Sequence, residues 1–166
     1  MTMDNIKTIV KVGISDLNII KGSGIIRTSG LGSCVGLVIY DLGKNVAGLA
    51  HIMLPDSKYS RQHHTNDFKY ADTAIPILIQ KLLDAGARKL CMQAKLAGGA
   101  QMFQFSDSDV MRIGPRNVDA VKEILQELNI PVVACDVGGN RGRTIEFNPG
   151  TGQLKIRTVN KDEFYI

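Results

Sequence analysis

Apolar and polar residues alternate with a period near two through much of this chain, and the pattern switches to helical spacing in two places. Ile9 to Ile20 alternates loosely and predicts one or two opening strands. Gly22-Ser23-Gly24 is a turn, and Ile25 to Ser29 is a short strand leading into a bend at Gly30-Leu31-Gly32. Val35 to Tyr40 and Val46 to Met53 are rich in branched and aromatic residues and read as strands. Asp41-Leu42-Gly43-Lys44-Asn45 between them has the composition of a hairpin loop. Leu90 to Leu96 and Val132 to Val137 are further strands, and Thr144 to Phe147 pairs with Leu154 to Val159 around Asn148-Pro149-Gly150-Thr151-Gly152.

Helical spacing appears first from a cap at Asn66 or Asp67 to Gly86, with Tyr70, Ala71, Ala74, Leu78 and Leu82 on one face. Pro76 inside that run either kinks the helix or marks the first turn of a shorter one. A second helix starts near Gly114-Pro115, carries Val118, Val121, Leu125 and Leu128, and stops at Asn129-Ile130-Pro131. The polar stretch from Leu54-Pro55 through His63, His64 and Asn66 reads as a mobile surface loop. Many strands with two helices give an α+β (α/β layered) domain, a single one over residues 1–166, with the helices covering sheet faces.

Composition narrows the class. At 166 residues with 44% hydrophobic and 22% charged residues, the chain is long enough for a real core. No apolar run reaches the roughly 20 residues needed to span a bilayer, and Met1-Thr2-Met3-Asp4-Asn5 lacks a signal-peptide layout. A cytoplasmic address and no membrane insertion follow. Three cysteines, 34, 91 and 135, show no framework spacing and read as reduced thiols. A net charge of +4 with scattered basic residues, Arg141-Gly142-Arg143 being the nearest to a cluster, does not mark a nucleic-acid binder and better suits an acidic protein surface.

The chemistry concentrates at Gly30-Leu31-Gly32-Ser33-Cys34-Val35-Gly36 and Gly48-Leu49-Ala50-His51-Ile52-Met53-Leu54-Pro55. A thiol is a strong nucleophile only as thiolate, and a nearby imidazole favours that form. If Tyr40 pairs with Asn45, paired numbers sum to 85 and Cys34 faces His51 directly, with Cβ atoms about 4.5–5.5 Å apart. A slip of one residue would put the two on opposite faces. On this reading Cys34 is a low-pKa thiolate at a glycine turn whose N–H groups can form an oxyanion hole. The competing reading of any isolated cysteine is a buried core residue, and Cys91 and Cys135 in apolar runs are read that way. His51 alone would be a core histidine.

Other constellations carry less. His63, His64 and Asp67 lack metal-ligand spacing and read as solvated or structural. Gly138-Gly139-Asn140-Arg141-Gly142-Arg143-Thr144 matches neither phosphate-binding fingerprint and is a turn. Met102-Phe103, with Phe105, forms either a partner-binding knob or a satellite core contact.

Several stretches together resemble the CheD family of chemoreceptor glutamine deamidases. They are Thr28-Ser29-Gly30-Leu31-Gly32-Ser33-Cys34-Val35-Gly36, Gly48 to Pro55, Lys69-Tyr70-Ala71-Asp72, Gly98-Gly99-Ala100-Gln101-Met102-Phe103, Ile113-Gly114 with Arg116-Asn117, and Asp136-Val137-Gly138-Gly139 with Gly142-Arg143. The resemblance implies a β-sandwich core of mixed sheets flanked by helices. It implies a triad of Cys34 as nucleophile, His51 as general base and acid, and Thr28 orienting His51 through its hydroxyl or its backbone carbonyl. It implies a protein-glutamine glutaminase that needs no cofactor or metal and acts through a thioester on glutamines of chemoreceptor cytoplasmic domains. The phosphatase CheC is the implied partner, with a footprint near Met102 and Phe103, and the chain is expected to be a monomer by itself. A non-enzymatic adaptor that binds receptor and CheC is the alternative.

Overall fold

The computed structural model describes residues 8–60, 66–102, 112–159 and 162–166, with the side chain of Tyr59 left out. Ten strands and two α-helices are found among the described residues. They are β1 (Ile9–Val12), β2 (Leu17–Lys21), β3 (Ile25–Leu31), β4 (Val35–Asp41), β5 (Val46–Ile52), α1 (Ala71–Asp84), β6 (Gln93–Gly98), α2 (Ile113–Glu127), β7 (Val132–Val137), β8 (Arg143–Asn148), β9 (Gln153–Thr158) and β10 (Glu163–Tyr165). Two five-stranded mixed sheets form, in the orders β1-β3-β8-β9-β10 and β2-β5-β4-β6-β7. The α+β class, the sandwich core and the two flanking helices are as expected.

The layering follows from which faces are apolar. Every residue of β4 and β5 is buried, because both faces of the second sheet are covered. Val35, Leu37 and Ile39 point to the helical layer, where Ala74, Ile75 and Leu78 of α1 and Val118, Val121 and Leu125 of α2 meet them. Val38 and Tyr40 point the other way, into an inter-sheet core with Ile26, Ile145, Phe147 and Ile156. The Tyr40 and Phe147 rings lie 4.8 Å apart at 45°. Each fully buried aliphatic side chain contributes about 1.5–3 kcal/mol, so these two faces dominate the stability.

Three boundaries differ from expectation. α1 starts at Ala71 rather than near Asn66, and Pro76 lies inside it. The residues before it are already engaged: Lys69 O accepts from the N–H groups of Met53 and Leu54 at 3.0 and 3.1 Å, and Ala71 N–H donates to Leu54 O at 3.0 Å. Segment 66–70 is thus spent extending the end of β5. β6 begins at Gln93, because Lys89–Cys91 form a single 3-10 turn with Leu90 fully exposed. β3 runs through the expected bend to Leu31, and β10 was not foreseen.

Candidate active site

The site is built where the first residues of β4 and the last of β5 meet the end of β3. Thr28 and Leu31 of β3 both face inward, although an odd separation would place them on opposite faces. The register against β8 shifts by one residue between them, from Thr28↔Ile145 to Leu31↔Arg143. Gly30, with φ of +72°, absorbs this bulge. The bulge turns the chain toward Gly32 and Ser33, so that Cys34 enters the inter-sheet core.

Antiparallel pairing of β4 with β5 sets the second relation. Val35 pairs with Ile52 and Gly36 with His51. Paired numbers therefore sum to 87, not 85, and the expected direct opposition of Cys34 and His51 is corrected to a diagonal one. The loop causes the difference: residues 42–44 form a 3-10 turn closed by Asn45 in the left-handed region, so Asp41 pairs with Val46. A shift by an even number keeps the face. Gly36, the direct partner of His51, adds no side chain there.

His51 is fully buried, and its Nδ1 lies 2.7 Å from Thr28 Oγ1. Thr28 Oγ1 also donates to the carbonyl oxygen of Val12 at 2.7 Å. A hydroxyl has one proton, and a carbonyl only accepts. Thr28 therefore accepts from His51, the ring proton sits on Nδ1, and Nε2 carries the lone pair. The hydroxyl, not the backbone carbonyl, is the contact. Nε2 is buried and has no hydrogen-bond partner among the described residues, so no thiol–imidazole bond is formed in this structure.

Burial sets the protonation states. It pushes the His51 imidazole down to about 4. It also pushes the Cys34 thiol up, an effect opposed by a bond from its own backbone amide. Both shifts run against the low-pKa thiolate expected at the glycine turn, because burial disfavours charge on the thiol and on the imidazole alike. Cys91 and Cys135, expected in the core, are exposed. Cys91 ends the 3-10 turn before β6, and Cys135 lies on an edge strand.

Supporting contacts close around Cys34. Its carbonyl accepts from Gly99 N–H at 2.9 Å. Gly98, with φ of +110°, leaves no room for a Cβ against that same carbonyl. Arg143 donates to Asp136 at 2.9 Å, Gly98 O at 3.2 Å and Gly138 O at 3.0 Å. Asn117 of α2 donates to Ser33 O at 2.9 Å and Met53 O at 3.0 Å. Reasoning on chemistry assigned no role to Asn117 or Arg143, although both lie in stretches that carry the family resemblance. Met102 is 48% exposed, and its sulfur covers Gly32 in the turn before Cys34. Phe103, Phe105, His63 and His64 lie outside the described residues. An open cavity of about 490 Å³ lies beside the bulge, lined by Gly30, Arg143, Thr144 and Thr158 but by none of the three expected site residues.

The profile of the family described as CheD chemotactic sensory transduction matches residues 53–158. The chain is 58% identical over 156 residues to a chemoreceptor glutamine deamidase CheD of Halalkalibacterium halodurans, covering 93% of this chain and 96% of that protein. The protein of the same name from Bacillus subtilis is 55% identical over 156 residues, covering 93% and 94%. A probable chemoreceptor glutamine deamidase CheD of Clostridium botulinum is 55% identical over 152 residues, covering 90% and 93%. No described helix is long and apolar enough to cross a membrane.

Proposed function

The chain belongs to the CheD family of chemotactic sensory transduction proteins, and on that premise we propose that it is a chemoreceptor glutamine deamidase with Cys34 as nucleophile, His51 as general base and acid, and Thr28 as the residue orienting His51. The observation that carries the reading is the bond between Thr28 and His51, which leaves Nε2 unprotonated on the face that Cys34 shares.

His51 Nε2 takes the thiol proton as sulfur attacks the side-chain amide carbon of a receptor glutamine. The backbone N–H of Cys34 or a neighbour steadies the oxyanion of the tetrahedral intermediate. The proton on Nε2 passes to the amide nitrogen, the C–N bond breaks, and ammonia leaves a γ-glutamyl thioester. Nε2 then removes a proton from water, hydroxide adds to the thioester, and the C–S bond breaks with the proton returning to sulfur. One water is consumed, and glutamine becomes glutamate. Each turnover adds one negative charge to the receptor.

The protein acts as a single domain and a monomer by itself. CheC is its regulatory partner, docking across the site with Met102 in its footprint. Mass spectrometry of a receptor cytoplasmic fragment incubated with wild type or Cys34→Ala tests the proposal. A gain of about one dalton per converted glutamine with the wild type alone supports thiol-dependent deamidation. If neither protein converts the fragment yet both bind it, the adaptor reading replaces this one.

A further inference from the structure

We infer that Asn117 is a positioning residue for the deamidation, acting as a side-chain rung that fixes the spacing between the strand ends bearing Cys34 and His51. The inference rests on the functional reading above and goes beyond it in naming what holds the two groups in place.

The β4–β5 ladder ends at Val35↔Ile52. Beyond it the strands part. Cys34 O turns to Gly99 N–H, while the N–H groups of Met53 and Leu54 turn to Lys69 O. The nucleophile therefore sits one residue past the last backbone pair, where nothing in the ladder fixes its distance from the neighbouring strand. Asn117 fills that gap from the helical layer. Its two amide protons go to Ser33 O, adjacent to the nucleophile, and to Met53 O, two residues after His51.

The donor assignment is fixed by these acceptors: the opposite orientation would set the amide oxygen against two carbonyl oxygens. Asn117 is fully buried, yet its Oδ1 has no hydrogen-bond partner among the described residues. A leucine shares the branched outline, is larger, and carries no polar atom to orphan. What the asparagine adds is the pair of donors. The helix carrying them is itself seated tightly, since a Cβ on Gly114 would run into the carbonyls of Gly99 and Ala100.

Asn117→Leu removes both donors while keeping the site filled, and the smaller Asn117→Ser, taken alongside it, controls for the added bulk and serves if leucine prevents folding. Three readouts are taken: the thermal midpoint, kcat and KM on a receptor fragment, and the pH dependence of Cys34 alkylation by iodoacetamide. Peptide mapping distinguishes Cys34 from the exposed Cys91 and Cys135. Displacing a reacting group by about 1 Å costs on the order of 10²-fold. We expect a folded variant with kcat lowered by about that factor and KM little changed. Its Cys34 alkylation at neutral pH should slow about tenfold, toward that of His51→Ala.

A folded variant with wild-type kcat and wild-type alkylation profile overturns the inference, whatever its thermal midpoint. Should the wild type convert no receptor glutamine, the deamidase reading falls, and the alkylation profile still decides the role of Asn117.

Discussion

Thr28→Val tests the hydroxyl that links His51 to the first sheet. The change is nearly isosteric and suits a strand, so it removes two hydrogen bonds of 2.7 Å each and little else. Thr28, His51 and Val12 are at most 4% exposed, so the orphaned Nδ1–H and carbonyl find no ready water. Each buried group left unpaired costs about 1–3 kcal/mol, and we expect a loss of about 2–4 kcal/mol in stability. For a chain of this size that lowers the thermal midpoint by roughly 5–15 °C. The effect on rate has a separate cause. Without an acceptor at Nδ1, the ring is free to turn and to carry its proton on Nε2, where it cannot act as base. One neutral hydrogen bond together with the lost tautomer preference is worth about 1.4–2.8 kcal/mol, or roughly 10- to 100-fold in kcat. Ammonia release from a receptor fragment, measured well below the variant's melting range, reads that factor. Thr28→Ser keeps the hydroxyl and should recover most of it. A folded Thr28→Val with kcat within twofold of wild type, or a Thr28→Ser equally impaired, would refute the assignment.

Two further outcomes follow from burial and backbone geometry. His51 is held near 4 in the folded protein against 6.5 unfolded, so between those values the unfolded chain binds the extra proton and stability falls as pH falls. The loss is about 2–3 kcal/mol after discounting for solvent at the site. Chemical denaturation from pH 7 to 4 checks it: His51→Leu should flatten this slope, and an unchanged slope would sink the claim. The window is separable from that of Asp41, held down to about 2 by Arg88, whose contribution is lost only as pH falls through the range below 3.8. Gly98→Ala combines a φ of +110° with a Cβ driven into the backbone carbonyl of Cys34, and should cost about 2–4 kcal/mol. A thermal midpoint within a degree or two of wild type would show that the Gly98-Gly99 turn is more compliant than these contacts imply.

Much of this architecture was legible because period and glycine punctuation report directly on strands and turns. β7 and α2 lie almost where the pattern put them. The errors share a cause, which is that partners distant in sequence override local signals. Asn66 makes a good helix cap, but the 66–70 segment is held by the end of β5 instead. Loop composition announced a hairpin at residues 41–45 but not that Asn45 would adopt the left-handed conformation, and that one dihedral moves the ladder by two residues. Cys34 and His51 still share a face because strand geometry repeats every two residues. Asn117 is illegible for another reason. An asparagine on an amphipathic helix reads as polar surface, and only the divergence of two strands elsewhere in the chain gives its amide something to hold.

The protonation of the pair shows most clearly how burial and chemistry are joined here. A glycine turn beside a histidine suggests a preformed thiolate, yet burial disfavours charge on both partners. In the proposed mechanism this burial places the proton transfer at the moment sulfur attacks, so that His51 has to be an efficient acceptor then rather than beforehand. Thr28 supplies that condition by keeping Nε2 unprotonated. The same burial then acts in the opposite direction on the transition state. A developing oxyanion and imidazolium attract each other and nearby N–H dipoles more strongly where water is excluded. Exclusion of water thus weakens the resting nucleophile and strengthens the stabilisation available once an amide carbon is in reach. The acid limb of kcat/KM should accordingly fall near the depressed value for His51, about 4, with activity lost as pH drops through it. An acid limb near 6.5, the ordinary value for histidine, would mean that the imidazole is solvated when substrate binds and that burial does not govern its basicity.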